Sequence, residues 1–472
     1  MNRRFTFRSS LLLVLVLLIL IFTGMVGIGS GPHMVLVSCI ALVAAIGHFR
    51  GYAWETMETY MANGVTQCVK AIFILGFIGV LIAVWMMSGT VPMLFYLGLK
   101  TISPEWFLLT SLFVTIIVSS FTGSSLTTAG TVGVALMGIA NGFGIDPCQA
   151  AGAVICGACF GDKLSPLSDT TNFAPGIVGV ELFTHIKNLL WTTIPALALT
   201  ILYFSVLGSS VSLEDFTLIN KARMALEQSF ELSYASLLSP LLVLSLAFLR
   251  FPTLPILGVG VLTGLLTAGF IQGQWDMNLW FEVLQNGYQL QSESAVVNDI
   301  VSRGGLMSMM FSISLVILAL AFGGLLQGLG VISSLMDGVK KHLKEPGPIV
   351  ASTAAASCGI NFLTGEQYLS ILLPGQAFKP LFEHPRLSPQ VLSRTLEDAG
   401  TLINPLVPWG VCGAFFTNAL GVSVLDYAPY AVFLYLSPAF SILFAYLGIG
   451  LGKPSCKETQ LRQQASLNTS SS

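Results

Sequence analysis

Residues 161–175 read GDKLSPLSDTTNFAP and interrupt a strongly apolar part of the chain with two carboxylates, one lysine and several hydroxyls. A charge inside a membrane segment is costly and is usually kept for an ion or proton pathway. Pro166 cannot donate a backbone hydrogen bond to the carbonyl of Asp162, so a helix running through this segment must break. Broken helices build cation sites in many transporters, because their freed carbonyls coordinate the ion. The segment therefore predicts a cation site at membrane depth.

The composition indicates a membrane protein. Hydrophobic residues make up 54% of the 472 residues and charged residues 9%, and the mean hydropathy is +0.80, whereas soluble domains contain about 25% charged residues. The net charge of −2 provides no basic surface for nucleic acid. Cys156 and Cys159 form a C-x-x-C pair with no second pair or histidine cluster, which favours small membrane-helix residues over a metal site.

The apolar runs divide the chain into two membrane halves, 11–208 and 234–452. A basic N-terminal segment at 1–10 precedes them, a polar loop at 209–233 connects them, and a polar tail that we expect to be disordered follows at 453–472. The runs predict an all-α polytopic membrane protein with about ten to thirteen transmembrane segments. Arginines near the N-terminus and lysines after the last run place both chain ends on the cytoplasmic side.

Two similar blocks occur in the same order in the two halves. Residues 121–125 (FTGSS) resemble 363–367 (LTGEQ), 242 positions later, and residues 161–167 (GDKLSPL) resemble 400–406 (GTLINPL), 239 positions later. Each block contains a T-G turn followed by a polar-Pro-Leu break. We therefore assign one repeat block to 122–171 and a second to 364–410, and we expect broken or re-entrant helices in both.

Oxygen-bearing side chains of the two blocks suit a hard cation such as sodium. Asp162 and Asp169 are the only acidic residues of 161–175, and we expect them to bind the sodium ion and, in its absence, the proton. Glu366, beside the second T-G turn, is a third candidate for carrying the proton. The expected neutral ligands of the cation are Ser165, Thr170, Thr122, Ser124, Ser125, Thr364 and Asn404.

Three other charged residues near these blocks have structural interpretations. Lys163 either pairs with a carboxylate elsewhere in the fold or acts as a built-in cation that competes with the transported one. Glu397 and Asp398 are further acidic residues of the second block, but they follow Arg394 in the sequence, so ion pairing near the membrane interface competes strongly with a functional role.

The energy source is expected to be an ion gradient. The sequence contains no G-x-x-x-x-G-K-[ST] segment for binding a nucleotide, so direct coupling to ATP is disfavoured. Broken helices in two similar blocks favour alternating access over a continuous pore. The chain is therefore predicted to be a secondary transporter and not an enzyme.

Residues 161–172 closely resemble the signature of the NhaC family of sodium/proton antiporters, and residues 122–133 and 397–409 resemble two further blocks of that family. The resemblance covers about residues 33–450. It implies a multi-pass carrier of the bacterial inner membrane with an inverted structural repeat, which exchanges sodium ions for protons. No cofactor is implied beyond Na+ as the transported ion. The expected partners are sodium, protons and membrane lipid. A homodimer is compatible with the sequence, which does not determine the oligomeric state.

The chain departs from the family pattern at Leu126–Thr127, Ala399 and Gly410–Val411. These departures leave the partner of sodium less certain than the sodium site, because the same family includes carriers of organic solutes. The alternative prediction is a sodium-coupled carrier or exchanger of a small organic solute, either a carboxylate such as malate or lactate or an amino acid. A membrane sensor or channel on the same scaffold is a third and weaker alternative.

Overall fold

The structure, a computed structural model, describes residues 5–66, 69–208, 224, 226–249, 251–290, 304–340, 343–383 and 387–451. These residues form helices and contain no strand, which confirms the all-α fold class. The predicted loop at 209–233 lies largely outside the described residues, and the predicted tail at 453–472 lies wholly outside them.

The α-helices of the described ranges are numbered in chain order. They are α1 (Phe7–Phe22), α2 (Pro32–Phe49), α3 (Trp54–Thr66), α4 (Val69–Met87), α5 (Thr90–Thr101), α6 (Phe107–Thr122), α7 (Ser125–Thr128), α8 (Val134–Gly142), α9 (Pro147–Leu164), α10 (Asp169–Val178), α11 (Leu182–Gly208), α12 (Leu238–Phe248), α13 (Thr253–Gln272), α14 (Met277–Asn286), α15 (Met310–Gly328), α16 (Val331–Lys340), α17 (Pro346–Thr364), α18 (Gln367–Phe378), α19 (Pro389–Leu396), α20 (Val411–Leu420), α21 (Val424–Tyr427) and α22 (Val432–Leu447).

Several helices can cross a membrane. Within the described ranges, six segments are long and apolar enough, namely Phe7–Met25, Pro32–Phe49, Pro104–Thr122, Leu182–Gly208, Leu254–Gln272 and Met307–Gly328. Three bent pairs raise the number to nine if each pair is one span: Ile72–Met87 with Thr90–Gly98 (70°), Pro389–Leu406 with Val411–Leu420 (46°) and Val424–Tyr430 with Val432–Leu447 (60°). The fold is that of a multi-pass membrane protein.

This number is below the ten to thirteen segments expected from the apolar runs, and two structural features explain part of the difference. The sequence at 400–421 is apolar enough to suggest one span, but it is interrupted, because a π-helical turn at Glu397–Thr401 and a 3-10 turn at Asn404–Leu406 precede α20. Helices α9 and α17 are 18 and 19 residues long, but they are rich in glycine, alanine and polar residues and are largely buried against other helices. Such helices face protein more than lipid.

The first break occurs where Pro166 predicts it. Helix α9 ends at Leu164 and α10 begins at Asp169. The carbonyls that the break frees, however, do not face an ion site. The hydroxyl of Thr171 donates hydrogen bonds to the carbonyl oxygens of Asp162 (3.2 Å) and Lys163 (3.1 Å). The expected carbonyl ligands of the cation are therefore engaged by the first turn of α10.

The two T-G turns have the same local conformation. Helix α6 ends at Thr122 and α17 ends at Thr364, and the following glycines, Gly123 and Gly365, have φ angles of 64° and 66°. The next residue caps the following helix in both cases: the Ser124 side chain accepts a hydrogen bond from a backbone amide of α7, and Glu366 accepts one from α18. The two blocks are thus alike locally, while the inverted relation of the two halves stays a prediction.

Helices α6 and α9 bring the first T-G turn close to the broken helix. A Cβ atom at Gly157 would run into the carbonyl of Leu112, and one at Gly161 would run into the carbonyl of Ile116. The absent side chains allow the two backbones to approach closely, as small residues do in membrane helices. The hydroxyl of Ser119 on α6 also donates a hydrogen bond to the carbonyl of Ala158 on α9 (2.6 Å).

Candidate cation-binding site

A cavity of about 420 Å³ lies where the two T-G turns approach the broken helix. Seven of the predicted site residues line it: Thr122, Ser124, Ser125, Asp162, Asp169, Thr170 and Glu366. No lysine or arginine of the described ranges lines the cavity. Three carboxylates with no cationic side chain among the lining residues create a negative potential that concentrates cations.

Asp162 is held at the cavity wall by the first T-G turn. Its Oδ2 atom accepts hydrogen bonds from the backbone amide of Ser125 (3.0 Å) and from the Ser125 hydroxyl (2.7 Å). These two bonds fix the orientation of the carboxylate, and bonds to a charged acceptor are stronger than neutral ones. The close approach of α6 and α9 positions both residues, so the geometry depends on Gly157 and Gly161, which do not line the cavity themselves.

The other two carboxylates of the cavity come from helix N-termini. Asp169 lies in the first turn of α10 and is exposed. Glu366 is buried, and its Oε2 atom accepts a hydrogen bond from the backbone amide of Leu369 (2.7 Å). A helix N-terminus stabilises an anion. The structure therefore brings the predicted proton carriers of both blocks to one cavity.

Three predicted cation ligands do not line the cavity. The hydroxyl of Ser165 donates to the carbonyl of Ser120 (2.7 Å), and that of Thr364 donates to the carbonyl of Ile360 (2.8 Å). Asn404 donates to the carbonyl of Gly365 (3.0 Å), and it also hydrogen bonds to a second asparagine and a backbone amide. These polar groups are engaged within the protein, so their contacts support structural roles.

Lys163 pairs with Asp398 of the second block, which is one of its two predicted interpretations. Both side chains are completely buried, and the ammonium group also donates to the hydroxyl of Ser437 (2.6 Å). The same Asp398 oxygen accepts hydrogen bonds from Ser437 (2.9 Å) and Thr192 (3.3 Å). The pair lies inside the helix bundle and not on the surface of the protein.

Glu397 is also buried. Its Oε1 atom accepts a hydrogen bond from the hydroxyl of Thr170 (3.2 Å), and Thr170 lines the cavity. The sequence contains an acidic residue at this position, but nothing in it indicates the hydrogen bond between Thr170 and Glu397, because the two residues are separated by 227 positions.

Several cavity residues were not predicted. Gln367 and Tyr368 line it, together with apolar residues that include Phe251 on the connection between α12 and α13. Thr127, whose hydroxyl is one of the neutral oxygens that the first block offers to a cation, lines it as well. Thr127 follows Ser124 by three positions, a spacing that places neighbours on one face of a helix, and its hydroxyl donates to the Ser124 hydroxyl (3.0 Å). That spacing was the available signal. The apolar residues gave none, because apolar side chains occur throughout the chain.

Comparison with known proteins identifies the family. A profile of the Na+/H+ antiporter family matches residues 157–449. The Na+/H+ antiporter NhaC of Alkalihalophilus pseudofirmus is 53% identical over 96% of this chain and 98% of its own. The NhaC protein of Bacillus subtilis is 43% identical over 94% and 99% of the two chains. The chain belongs to the NhaC family of Na+/H+ antiporters.

The NhaC family also has relatives with other named substrates. The arginine/ornithine antiporter ArcD of Halobacterium salinarum is 34% identical over 95% of this chain and 93% of its own. Leu126, Thr127 and Val411, where this chain departs from the expected NhaC pattern, all line the cavity. Three of the five departures from the NhaC pattern therefore lie on the cavity wall, where a transported species would be selected.

Proposed function

We propose that this NhaC-family protein exchanges Na+ for H+ across the bacterial inner membrane by alternating access, and that Asp162 binds the two ions in turn. Its relatives with 53% and 43% identity are named Na+/H+ antiporters. The observation that carries the site assignment is the carboxylate of Asp162, oriented by two hydrogen bonds from Ser125 at the wall of a cavity lined by hydroxyls and further carboxylates.

The exchange follows from competition for one carboxylate. A sodium ion binds to ionised carboxylate and hydroxyl oxygens, which are the ligands that hard cations prefer. A proton on the same carboxylate removes its charge and so releases the ion. Ser124, Ser125 and Asp169 supply further oxygens at the same cavity. Because either ion excludes the other, a cycle that moves the site from one side of the membrane to the other couples the two gradients.

An organic solute remains the second candidate, and the size of the cavity favours it. The volume of about 420 Å³ equals that of roughly fourteen water molecules at about 30 Å³ each, which is more than one sodium ion needs. The charge of the cavity opposes a carboxylate such as malate, because three carboxylates line it and no described lysine or arginine does. A cationic amino acid suits this charge better.

Transport in everted membrane vesicles separates the two candidates. A pH-sensitive dye reports whether added Na+ alone dissipates a preformed ΔpH, as we expect. Asp162→Asn should abolish this response while expression and thermal unfolding stay near wild type. Glu105→Gln is the matched control, since Glu105 does not line the cavity. A response that requires arginine or malate beside Na+ would favour the organic-solute carrier, and an unchanged Asp162→Asn response would refute the site assignment.

A further inference from the structure

A second cavity, of about 510 Å³, lies where α11 begins and α22 ends. Its polar lining comes from Thr184, Lys187, Asn188, Trp191 and Gln390, and Gly450 completes one wall. It shares no lining residue with the cation cavity. No role in ion exchange accounts for it.

The length of α11 places this cavity at the surface of the membrane. The helix has 27 residues, which corresponds to about 40 Å, whereas the hydrocarbon core is about 30 Å thick. Its polar residues concentrate in the N-terminal turns, so the excess length extends from that end. Trp191, three turns into the helix, is 51% exposed, and tryptophan side chains favour the headgroup level. Lys187 and Asn188 then lie among the lipid headgroups.

Unsatisfied polar groups surround the cavity. Asn188 is only 7% exposed, and its Oδ1 atom has no hydrogen-bond partner among the described residues. Arg394 lies behind the wall: it is completely buried, and its guanidinium donates to the carbonyl of Gly450 (3.0 Å). Its other two nitrogens have no partner in the described ranges. Because these atoms are sealed from the cavity, the polar group that Asn188 offers to the cavity is its Nδ2 amide, which has no hydrogen-bond partner among the described residues either.

The charge of the site is positive towards the cavity. Lys187 is exposed and lines it. No Asp or Glu of the described ranges lines the cavity, and Glu181, just before α11, accepts hydrogen bonds from the amides of Phe183 (3.0 Å) and Thr184 (2.8 Å) and from the Thr184 hydroxyl (2.7 Å). A cation, a hydrogen-bond donor and an indole at headgroup depth are therefore presented together.

We infer that this cavity binds the headgroup of an anionic glycerophospholipid. The ammonium of Lys187 attracts the phosphate, as basic pockets at the membrane surface do. The Nδ2 amide of Asn188 donates a hydrogen bond to a hydroxyl oxygen of the headgroup, such as that of glycerol, and Trp191 packs beside the acyl-chain attachment. A choline headgroup has no hydroxyl to accept this bond, and a soluble phosphate lacks the acyl chains that hold the ligand at this depth.

Native mass spectrometry of the purified full-length protein tests the inference with defined lipids. We expect one phosphatidylglycerol per protein to bind about fivefold more tightly than phosphatidylmethanol, which has the phosphate but no headgroup hydroxyl. Phosphatidylcholine should bind more weakly still, and soluble glycerol phosphate should not compete. Equal binding of phosphatidylglycerol and phosphatidylcholine would overturn the site, and competition by glycerol phosphate would overturn its assignment to a lipid.

Variants locate the binding on the protein. Lys187→Gln should weaken phosphatidylglycerol binding about fivefold, and Asn188→Leu should remove the preference over phosphatidylmethanol. Lys100→Gln, at a lysine that does not line this cavity, should behave as wild type. If Lys187→Gln binds as tightly as wild type, the inference is wrong. Binding is measured without an ion gradient, and Asp162→Asn should retain it, so this inference stands or falls independently of ion exchange.

Discussion

Ser125 contributes both its backbone amide and its hydroxyl to one oxygen of Asp162. The hydrogen bond from the backbone amide depends on the turn at Gly123, whereas the hydrogen bond from the hydroxyl depends on the Ser125 side chain alone. A substitution at Ser125 therefore removes one of the two bonds while it leaves the turn intact. The hydroxyl of Ser165, three positions after Asp162, is engaged with the carbonyl of Ser120 and not with the cavity. The two serines form a matched pair.

We expect Ser125→Ala to lower the apparent sodium affinity about tenfold, because a hydrogen bond to a charged group contributes about 1.5–3 kcal/mol. Ser165→Ala should leave the affinity near wild type and reduce only the thermal stability. Sodium titrations of ΔpH dissipation in vesicles give the affinities, and unfolding in detergent gives the stability. Equal effects of both substitutions on sodium affinity would contradict the different roles assigned to them.

All three predicted carboxylates line the cavity, whereas Ser165, Thr364 and Asn404, among the predicted neutral ligands, do not. Asp162, Asp169 and Glu366 were recognised because a charge in an apolar segment is expensive and needs a reason. Ser165 and Thr364 are candidates because they lie beside the motifs, but both hydroxyls donate to backbone carbonyls. Thr364 bonds the carbonyl of Ile360 one helical turn earlier, and Ser165 bonds the carbonyl of Ser120 on α6. Whether a hydroxyl faces the cavity or bonds a backbone carbonyl depends on its neighbours in the folded structure, which a single sequence does not reveal.

At the scale of helices, the break at Pro166 was predictable and its consequence was not. The missing backbone donor fixes where α9 must end. Thr171 engages the freed carbonyls only because α10 turns back over the end of α9. The direction of that return is decided by packing between α10 and the second half, so the local sequence pattern does not contain it.

The close approach of α6 and α9 predicts that a side chain larger than glycine is not tolerated at their contact. Gly157→Ala should destabilise the protein by about 1–3 kcal/mol, because its Cβ would meet the carbonyl of Leu112 and the hydroxyl of Thr115. Gly176→Ala is the control in α10, where a Cβ meets no atom within 4 Å, and it should stabilise by about 0.5–1 kcal/mol through helix propensity. Thermal unfolding in detergent measures both, and a destabilisation of equal size would contradict the close-packing explanation.

The buried ion pair joins α9 to the turn that follows α19. Lys163→Met leaves Asp398 buried without its cation, and Asp398→Leu leaves Lys163 without its anion, so each should cost about 3–5 kcal/mol. The double variant removes both charges and should recover most of the loss. Unfolding free energies of the single and double variants form the test. Additive losses in the double variant would show that the charges do not depend on each other.

For the whole molecule, the sequence predicted the class, the family and the local likeness of the two blocks, and its ten to thirteen expected segments exceed the six to nine candidate spans of the described ranges. Hydropathy identifies segments that lipid surrounds, whereas α17, with Asn361 and Ser357 completely buried, is surrounded largely by protein. The second block was also expected to provide cation ligands equivalent to the first. Instead Asn404 and Thr364 are engaged within the protein, and Glu366 is the one predicted site residue of that block that lines the cavity, an asymmetry that depends on the packing of the halves.

The apparent sodium affinity of the intact carrier should rise with pH. A proton and a sodium ion compete for the same carboxylate, so a lower pH occupies more of the sites with protons and weakens sodium binding. One competing proton gives at most about a tenfold change per pH unit, and the change ends where the group is fully ionised. Calorimetry from roughly pH 6 to 9, with proton release measured in buffers of different ionisation enthalpy, tests this. A constant affinity without proton release would contradict a shared carboxylate.

The separation of Lys163 and Asp398 by 235 positions has a consequence for biosynthesis. A ribosome adds about 5–20 residues per second, so the lysine is made roughly 12–47 seconds before its partner. During that interval the nascent chain carries a cation that has no counterion in the lipid phase. A chain truncated before residue 398 keeps this defect permanently. The first half therefore depends on Asp398 of the second half to neutralise Lys163 in the membrane. Premature termination should expose the product to quality-control proteases.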